Sequence, residues 1–343
     1  MTLPRPRRTL VTSALALAAA TAVLVGCSSS GSGGGGNSGS AVAAGGATQS
    51  AGSGGSSKLP KTLVFSPLSL APPALKSLSV GVQAYGKSQG WTIIVQDPNF
   101  DAAKQVQSLN EVIQSGRAGA AWVLAVAPKS MGGLIKTAQS KGTPILINGK
   151  PAEYGFTGAQ PGVTFDYIDY NAGGGELGKQ TANCANSNLG GKAKVLWIQS
   201  AQGSAGKQEF DSASKKALQA GSPGSQIVQT LIETDRTKAQ TDVSAALQGH
   251  PDINAVMAAN DEGALGAMGA FAAAGKDVKC ITDFGGNAEV LKDVASGKIY
   301  AAVALQLQAD MKQSFDTLVK MQSDPKAAGL VLTVPIKTVT SNG

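Results

Sequence analysis

The stretch His250-Pro251-Asp252-Ile253-Asn254-Ala255-Val256-Met257-Ala258-Ala259-Asn260-Asp261-Glu262-Gly263-Ala264-Leu265-Gly266-Ala267 holds one full structural unit. Residues 255–258 are uninterruptedly apolar, and residues 262–274 continue with apolar and small side chains at helical spacing. A short run without polar alternation is a strand covered on both faces, the habit of parallel sheets flanked by crossover helices. Asn260 and Asp261 stand where a side-chain oxygen can accept from the free N–H groups opening that helix, and either can serve as its cap.

The same unit repeats outward in both directions. Strand-like runs occupy residues 62–66, 92–96, 120–126, 144–148, 163–167, 193–199, 227–233, 278–282 and 301–304. Amphipathic stretches at 102–115, 211–220, 238–248 and 288–296 separate several of them, and Asp101 offers a cap for the first. Gly90, Gly116, Gly142, Gly221, Gly275 and Gly297 stand where helices end and a left-handed residue is needed. The chain reads as α/β throughout. Gly173-Gly174-Gly175 lacks the surrounding dinucleotide fingerprint and is read as close packing at a helix start; Gly132-Gly133 lacks the Lys-Ser/Thr of a P-loop.

Ahead of this repeat, residues 1–26 read as an export signal, with Arg5, Arg7 and Arg8 before an apolar run at 10–25 that is too short to span a bilayer. Leu24-Val25-Gly26-Cys27 resembles the bacterial lipobox, which implies a diacylglycerol on Cys27 as the mature N-terminus. Residues 28–57 are almost wholly Gly, Ser, Ala, Asn and Gln, too poor in bulky apolar surface to offset the entropy of ordering. They read as a flexible tether with a reach of about 30 Å.

Composition excludes several functions. Without the three leader arginines, 26 basic residues face 22 acidic ones with no basic run, so no nucleic-acid partner is expected. The only histidine, His250, cannot build a Ser-His-Asp, Cys-His or multi-histidine metal site, so neither an enzyme nor a metal or other cofactor is expected. With Cys27 assigned to lipid, Cys184 and Cys280 remain, either as a disulfide in an oxidising compartment or as two buried thiols. Trp91, Trp122 and Trp197 belong to the core by their place in or beside strands, whereas Phe100, Tyr154 and Phe156 fall in loops where they can offer stacking faces.

From about Pro60 the pattern resembles the type I periplasmic binding proteins, in their ribose-binding-protein-like branch. The resemblance rests on residues 250–267, on Ser108–Ile113 with Gly116, on Ala138–Pro144, and on Asp283-Phe284-Gly285-Gly286-Asn287. It implies two Rossmann-like, doubly wound parallel-sheet lobes joined by a three-segment hinge, with residues 58–168 plus 307–332 in the first and 169–306 plus 333–343 in the second. It also implies a non-enzymatic, monomeric component of an ABC importer. Such a protein captures a small polar ligand, a sugar or sugar-like molecule, in the interlobe cleft by hinge closure and delivers it to membrane permease subunits. A lipid-anchored sensor presenting its closed form to a membrane signalling partner fits the same residues.

The resemblance implies ligand contacts at Asn260, Asp283, Gln306, Asn148, Lys207 and Thr234, with Asp261 left as the helix cap. The departures bear on the ligand. Ala71-Pro72-Pro73-Ala74-Leu75 replaces the aromatic pair that the family presents after its first strand, Asn148-Gly149-Lys150 replaces an Asp-Arg pair, and Thr234 replaces another aromatic. Losing aromatic faces, which cover a sugar ring's C–H groups, argues against ribose or a similar pentose.

Overall fold

The computed structural model describes residues 59–324 and 329–341. The leader, Cys27 and the tether at 27–57 lie outside the described residues.

Two six-stranded sheets organise the chain. The first contains β1 (Thr62–Ser66), β2 (Thr92–Val95), β3 (Ala120–Val123), β4 (Ile145–Asn148), β5 (Val163–Tyr167) and β11 (Val331–Thr333), all parallel, in the order β11-β5-β4-β3-β1-β2. The second contains β6 (Lys194–Gln199), β7 (Gln226–Ile232), β8 (Ala255–Ala258), β9 (Cys280–Gly285), β10 (Ala301–Leu305) and β12 (Ile336–Thr340), in the order β12-β10-β9-β8-β6-β7. Only β12 runs antiparallel to its neighbour. Each sheet thus holds the doubly wound order 2-1-3-4-5 with one late strand added at its edge.

Both faces of both sheets are covered, which is why the strands read as continuous apolar runs. In the first sheet Val64, Ala121 and Ile145 face α2 (Ala102–Gln114) and α3 (Gly132–Lys141), packing on Leu109, Ile113 and Leu134. Their pleat partners Leu63, Phe65 and Trp122 face α1 (Pro73–Ser88) and α9 (Leu307–Ser323), meeting Val82 and Phe315. In the second sheet Leu196, Val256 and Ile281 pack on Val243 of α6 (Arg236–Gly249), Phe271 of α7 (Asp261–Ala273) and Val290 of α8 (Ala288–Ala295). Trp197, Met257 and Val303 pack on α4 (Tyr170–Leu189) and α5 (Lys207–Gly221) through Leu177 and Phe210. The three tryptophans are all buried, as their strand positions require.

Helices α4 and α5 touch closely because α4 carries glycine at the contact. A Cβ on Gly174 would sit 2.3 Å from the Phe210 carbonyl oxygen, and one on Gly178 only 2.1 Å from that of Ser214, whereas Gly175 faces open space. Gly173 admits the Phe284 ring. Close packing therefore explains Gly173 and Gly174 but not Gly175. Cys184 of α4 and Cys280 of β9 are joined as a disulfide with 5.7 Å between their Cα atoms.

The structure departs from the sequence pattern at three places. Gly221 is the last residue of α5, not a left-handed residue past its end, and its Cβ position is filled by the Ala182 methyl at 2.8 Å. Strand β9 starts at Cys280 and runs to Gly285, so Asp283, just past the strand-like run at 278–282, lies inside a strand and is fully buried. Strands β11 and β12 have no counterpart in the apolar-run pattern, because three residues are too few to carry one and β12 alternates as a half-exposed edge strand does.

Candidate functional site

The chain passes between the two sheets three times, after β5, after β10 and between β11 and β12. Beside these passages, at the carboxyl ends of β3, β4 and β5, lies a cleft of about 460 Å³. Open α/β sheets bind ligands at this end of their strands, and the volume suits a small molecule.

Buried Gln105 of α2 sets the local shape. Its Nε2 donates to Ser66 Oγ at 3.0 Å and the Leu124 carbonyl at 2.9 Å, and its Oε1 accepts from Val126 N–H at 2.9 Å. One side chain thereby ties the ends of β1 and β3 together. At the end of β4, Asn148 Oδ1 accepts from Ala125 N–H, and the Tyr154 hydroxyl donates to the Asn148 carbonyl. The chain then turns at Gly149, φ 112°, where a Cβ would press on Glu153 at 3.0 Å. Glu153 accepts from Lys150 N–H at 2.9 Å, and the Lys150 ammonium reaches Glu209 of α5 at 2.7 Å. This ion pair links the β4 turn of the first sheet to a helix of the second.

The other cleft walls come from distant segments. Asp166, Tyr167, Ile168 and Tyr170 line it from the first passage, Leu307 and Asp310 from the start of α9, Leu75 and Leu78 from α1, and Trp122 and Leu124 from around the end of β3. Gly206 closes the side by α5; with φ 66° it leaves room for the Tyr170 ring, which a Cβ would strike at 1.9 Å. The lining is mostly apolar and aromatic, with its polar groups grouped.

Asp166 and Asp310 form the most perturbed of those groups. Both are buried, at 6% and 8% exposure. Ser314 Oγ donates to Asp166 Oδ2 at 3.1 Å and Gln313 Nε2 donates to Asp310 Oδ1 at 2.8 Å; the Asp166 and Asp310 carboxyls lie against each other, and Asp166 Oδ1, sealed from water, has no other partner. Burial, and after it the charge of Asp310, pushes the Asp166 carboxyl up to about 7; burial raises Asp310 as well.

Of the six residues expected to contact ligand, Asn148 lines this cleft and the other five stand outside its lining. Asn260 caps α7: its Oδ1 accepts from Gly263 N–H and its Nδ2 donates to the Glu233 carbonyl, both at 2.8 Å. Asp261, expected as the cap, instead accepts from the N–H groups of Gly286 and Asn287 at 2.7 and 2.9 Å, so the capping assignment is reversed. Asp283 lies against it with Oδ2 accepting from Gly286 N–H at 3.1 Å; burial first, then the Asp261 charge, raise its carboxyl well above the usual range. Lys207 is paired with Asp211 at 2.7 Å beside a separate surface hollow, Gln306 bonds the Ala304 carbonyl at 3.3 Å ahead of α9, and Thr234 is exposed.

The loop aromatics also divide. Tyr154 is buried against Phe165, Phe156 packs on the same ring, and Phe100 is exposed, so none of the three lines the cleft. Tyr167 and Tyr170, which sequence reasoning passed over, do so. Their signal was their place at and just after the end of a covered strand, where a side chain leaves the core for the strand's carboxyl end.

Among the described residues no group of three or more His, Cys, Asp or Glu can hold a metal ion, and no helix is long and apolar enough to cross a membrane.

Comparison with known proteins agrees with this geometry. Residues 64–325 match the family described as periplasmic binding protein domain. The chain is 31% identical over 249 residues to the ribose import binding protein RbsB of Bacillus subtilis (strain 168), covering 71% of this chain and 76% of that protein. A similar protein of Haemophilus influenzae, also a ribose import binding protein, is 28% identical over 248 residues, 71% of this chain and 80% of its own. Among solved structures, an ABC transporter periplasmic solute-binding protein from Actinobacillus succinogenes 130z with bound D-allose superposes with a TM-score of 0.68 at 20% identity, over 82% of this chain and 98% of that one. The Caulobacter myo-inositol binding protein gives 0.65 at 20% identity, over 82% and 94%. Those two share the fold, and the matched span and curated relatives carry the rest: the chain belongs to the type I periplasmic binding proteins, a family of solute-binding proteins and not of enzymes, in its ribose-binding-like branch.

Proposed function

We propose that this chain is the extracytoplasmic binding component of an ABC importer, that it captures a small sugar-like solute in the cleft beside Asn148, Asp166 and Tyr167, and that its two halves close on the solute by bending at the three passages. The observation that carries the reading is the cleft itself, which adjoins all three segments through which a hinge would act and is lined by residues from both sides of them. The relatives' roles in ribose import, and the allose and myo-inositol held by structural neighbours, support a polyhydroxylated solute. The lobes of this reading are residues 58–168 plus 307–332 and residues 169–306 plus 333–343.

The sequence supports anchoring at Cys27 through Leu24-Val25-Gly26-Cys27, followed by a tether that leaves the cleft free to turn toward permease subunits. The test of binding is a thermal-shift and calorimetric panel of monosaccharides and polyols on the intact protein in detergent. Saturable stabilisation by one of them is the expected result, and silence across the panel with folded protein sinks the reading. Radiolabelled palmitate incorporation that disappears in Cys27→Ala tests the anchor.

A further inference from the structure

The cleft is lined by four carboxyl groups, Glu153, Asp166, Glu209 and Asp310, and by a single ammonium, that of Lys150. Lys150 is already held by Glu209 at 2.7 Å. Asp166 and Asp310 make no ion pair among the described residues, although each is more than nine-tenths buried. Two carboxyl groups withdrawn from water without a cation are expensive to ionise, and an unpaired oxygen there adds to that cost. Asp166 Oδ1 is such an oxygen.

We propose that the solute carries a protonated amine, as an amino sugar or amino polyol does, and that Asp166 and Asp310 together receive its ammonium. The inference rests on the sugar-like reading above and sharpens it. An ammonium brings three donors, enough to serve both carboxyl groups at once with one left over, and its charge meets the need that a neutral hydroxyl cannot. The rings of Tyr167 and Tyr170 line the same cleft and add apolar surface for ring C–H groups, and the Lys150 ammonium already lies over the Tyr167 ring at 5.6 Å. In the empty cleft the pair relieves its own repulsion by keeping a proton on Asp166, in line with the raised carboxyl there. An entering ammonium takes that proton's place, and the proton leaves to the buffer.

The experiment is calorimetry on the intact protein in detergent with matched pairs: D-glucose and D-glucosamine, D-galactose and D-galactosamine, D-mannose and D-mannosamine. The amine should bind at least about tenfold more tightly than its neutral partner in one pair, the ratio that follows when a neutral hydrogen bond becomes a charge-assisted one. Enthalpies in two buffers at pH 6 should show release of up to about one proton per amine bound, since Asp166 starts protonated there. Asp166→Asn and Asp310→Asn should each bring the pair to within about twofold. Neutral sugars binding as tightly as amines would overturn the inference and leave the sugar reading standing. Silence from both members of every pair, in this and the wider panel, would remove both. A preference that survives both substitutions overturns the assignment of the ammonium to this pair. Should Asp166→Asn not fold, Asp310→Asn and proton release by the unaltered protein still decide.

Discussion

Replacing Asp166 with asparagine should change how stability depends on pH. In the folded protein the carboxyl is pushed up to about 7 from an ordinary 3.8, chiefly by burial and then by Asp310. Between those values the folded chain holds a proton that the unfolded chain has shed, so stability declines as pH rises through the window and levels off above about 7. From pH 5 to pH 7 the difference of one proton, at about 1.36 kcal/mol per unit, amounts to roughly 3 kcal/mol as a ceiling. Relaxation around the pair and sharing of its proton lower that to about half. Asparagine stays neutral throughout, can still accept from Ser314 and can donate to Asp310. The variant's stability relative to the wild type should therefore rise by about 1–3 kcal/mol between pH 5 and pH 7.5. Urea unfolding of both proteins at the two pH values measures this directly. A stability difference that is the same at pH 5 and pH 7.5 would refute the raised Asp166 carboxyl.

Other consequences are equally direct. The bond between Cys184 and Cys280 spans 96 residues, so Cys184→Ala with Cys280→Ala should lower stability by roughly 2–4 kcal/mol in urea unfolding, and denatured unreduced protein should show neither thiol to a labelling reagent. Gly178→Ala drives a methyl into the Ser214 carbonyl and should lose about 1–3 kcal/mol or more, while Gly175→Ala, facing open space, should gain about 0.5–1 kcal/mol by helix propensity; thermal melts of the pair give opposite signs if the α4–α5 contact is as described. Asn260→Ala removes a cap and leaves the Glu233 carbonyl without its donor, an expected loss of about 1–2 kcal/mol with solute affinity unchanged; a tenfold weaker affinity would move the solute to the start of α7.

The repeat of strand and helix was legible because strands covered on both faces must be apolar at every position, and residues 62–66, 163–167 and 255–258 match their strands end to end. Strands β11 and β12 were not, since an edge strand needs only one apolar face and draws its pairing from residues far away in sequence. Of the expected ligand contacts, Asn148 alone lines the cleft. Asp166, Glu209 and Asp310 come from three separate segments, and no local spacing relates them. One clue was present: an aspartate within the covered run Val163-Thr164-Phe165-Asp166-Tyr167 must be buried, and a buried carboxyl needs a reason. Asn260 carries a different ambiguity. The side chain that bonds a ligand and the side chain that caps a helix look alike in sequence, and here the geometry occupies both of its polar ends within the chain.

Strands β11 and β12 have a bearing on assembly. Val331–Thr333 completes the first sheet and Ile336–Thr340 the second, and α9 just before them fills the first sheet's core with Phe315 and Leu318. A polypeptide threaded amino end foremost through a translocation pore leaves both halves unfinished until these late residues emerge. A stop codon between residues 306 and 331 would therefore remove the last strand of both halves in one stroke.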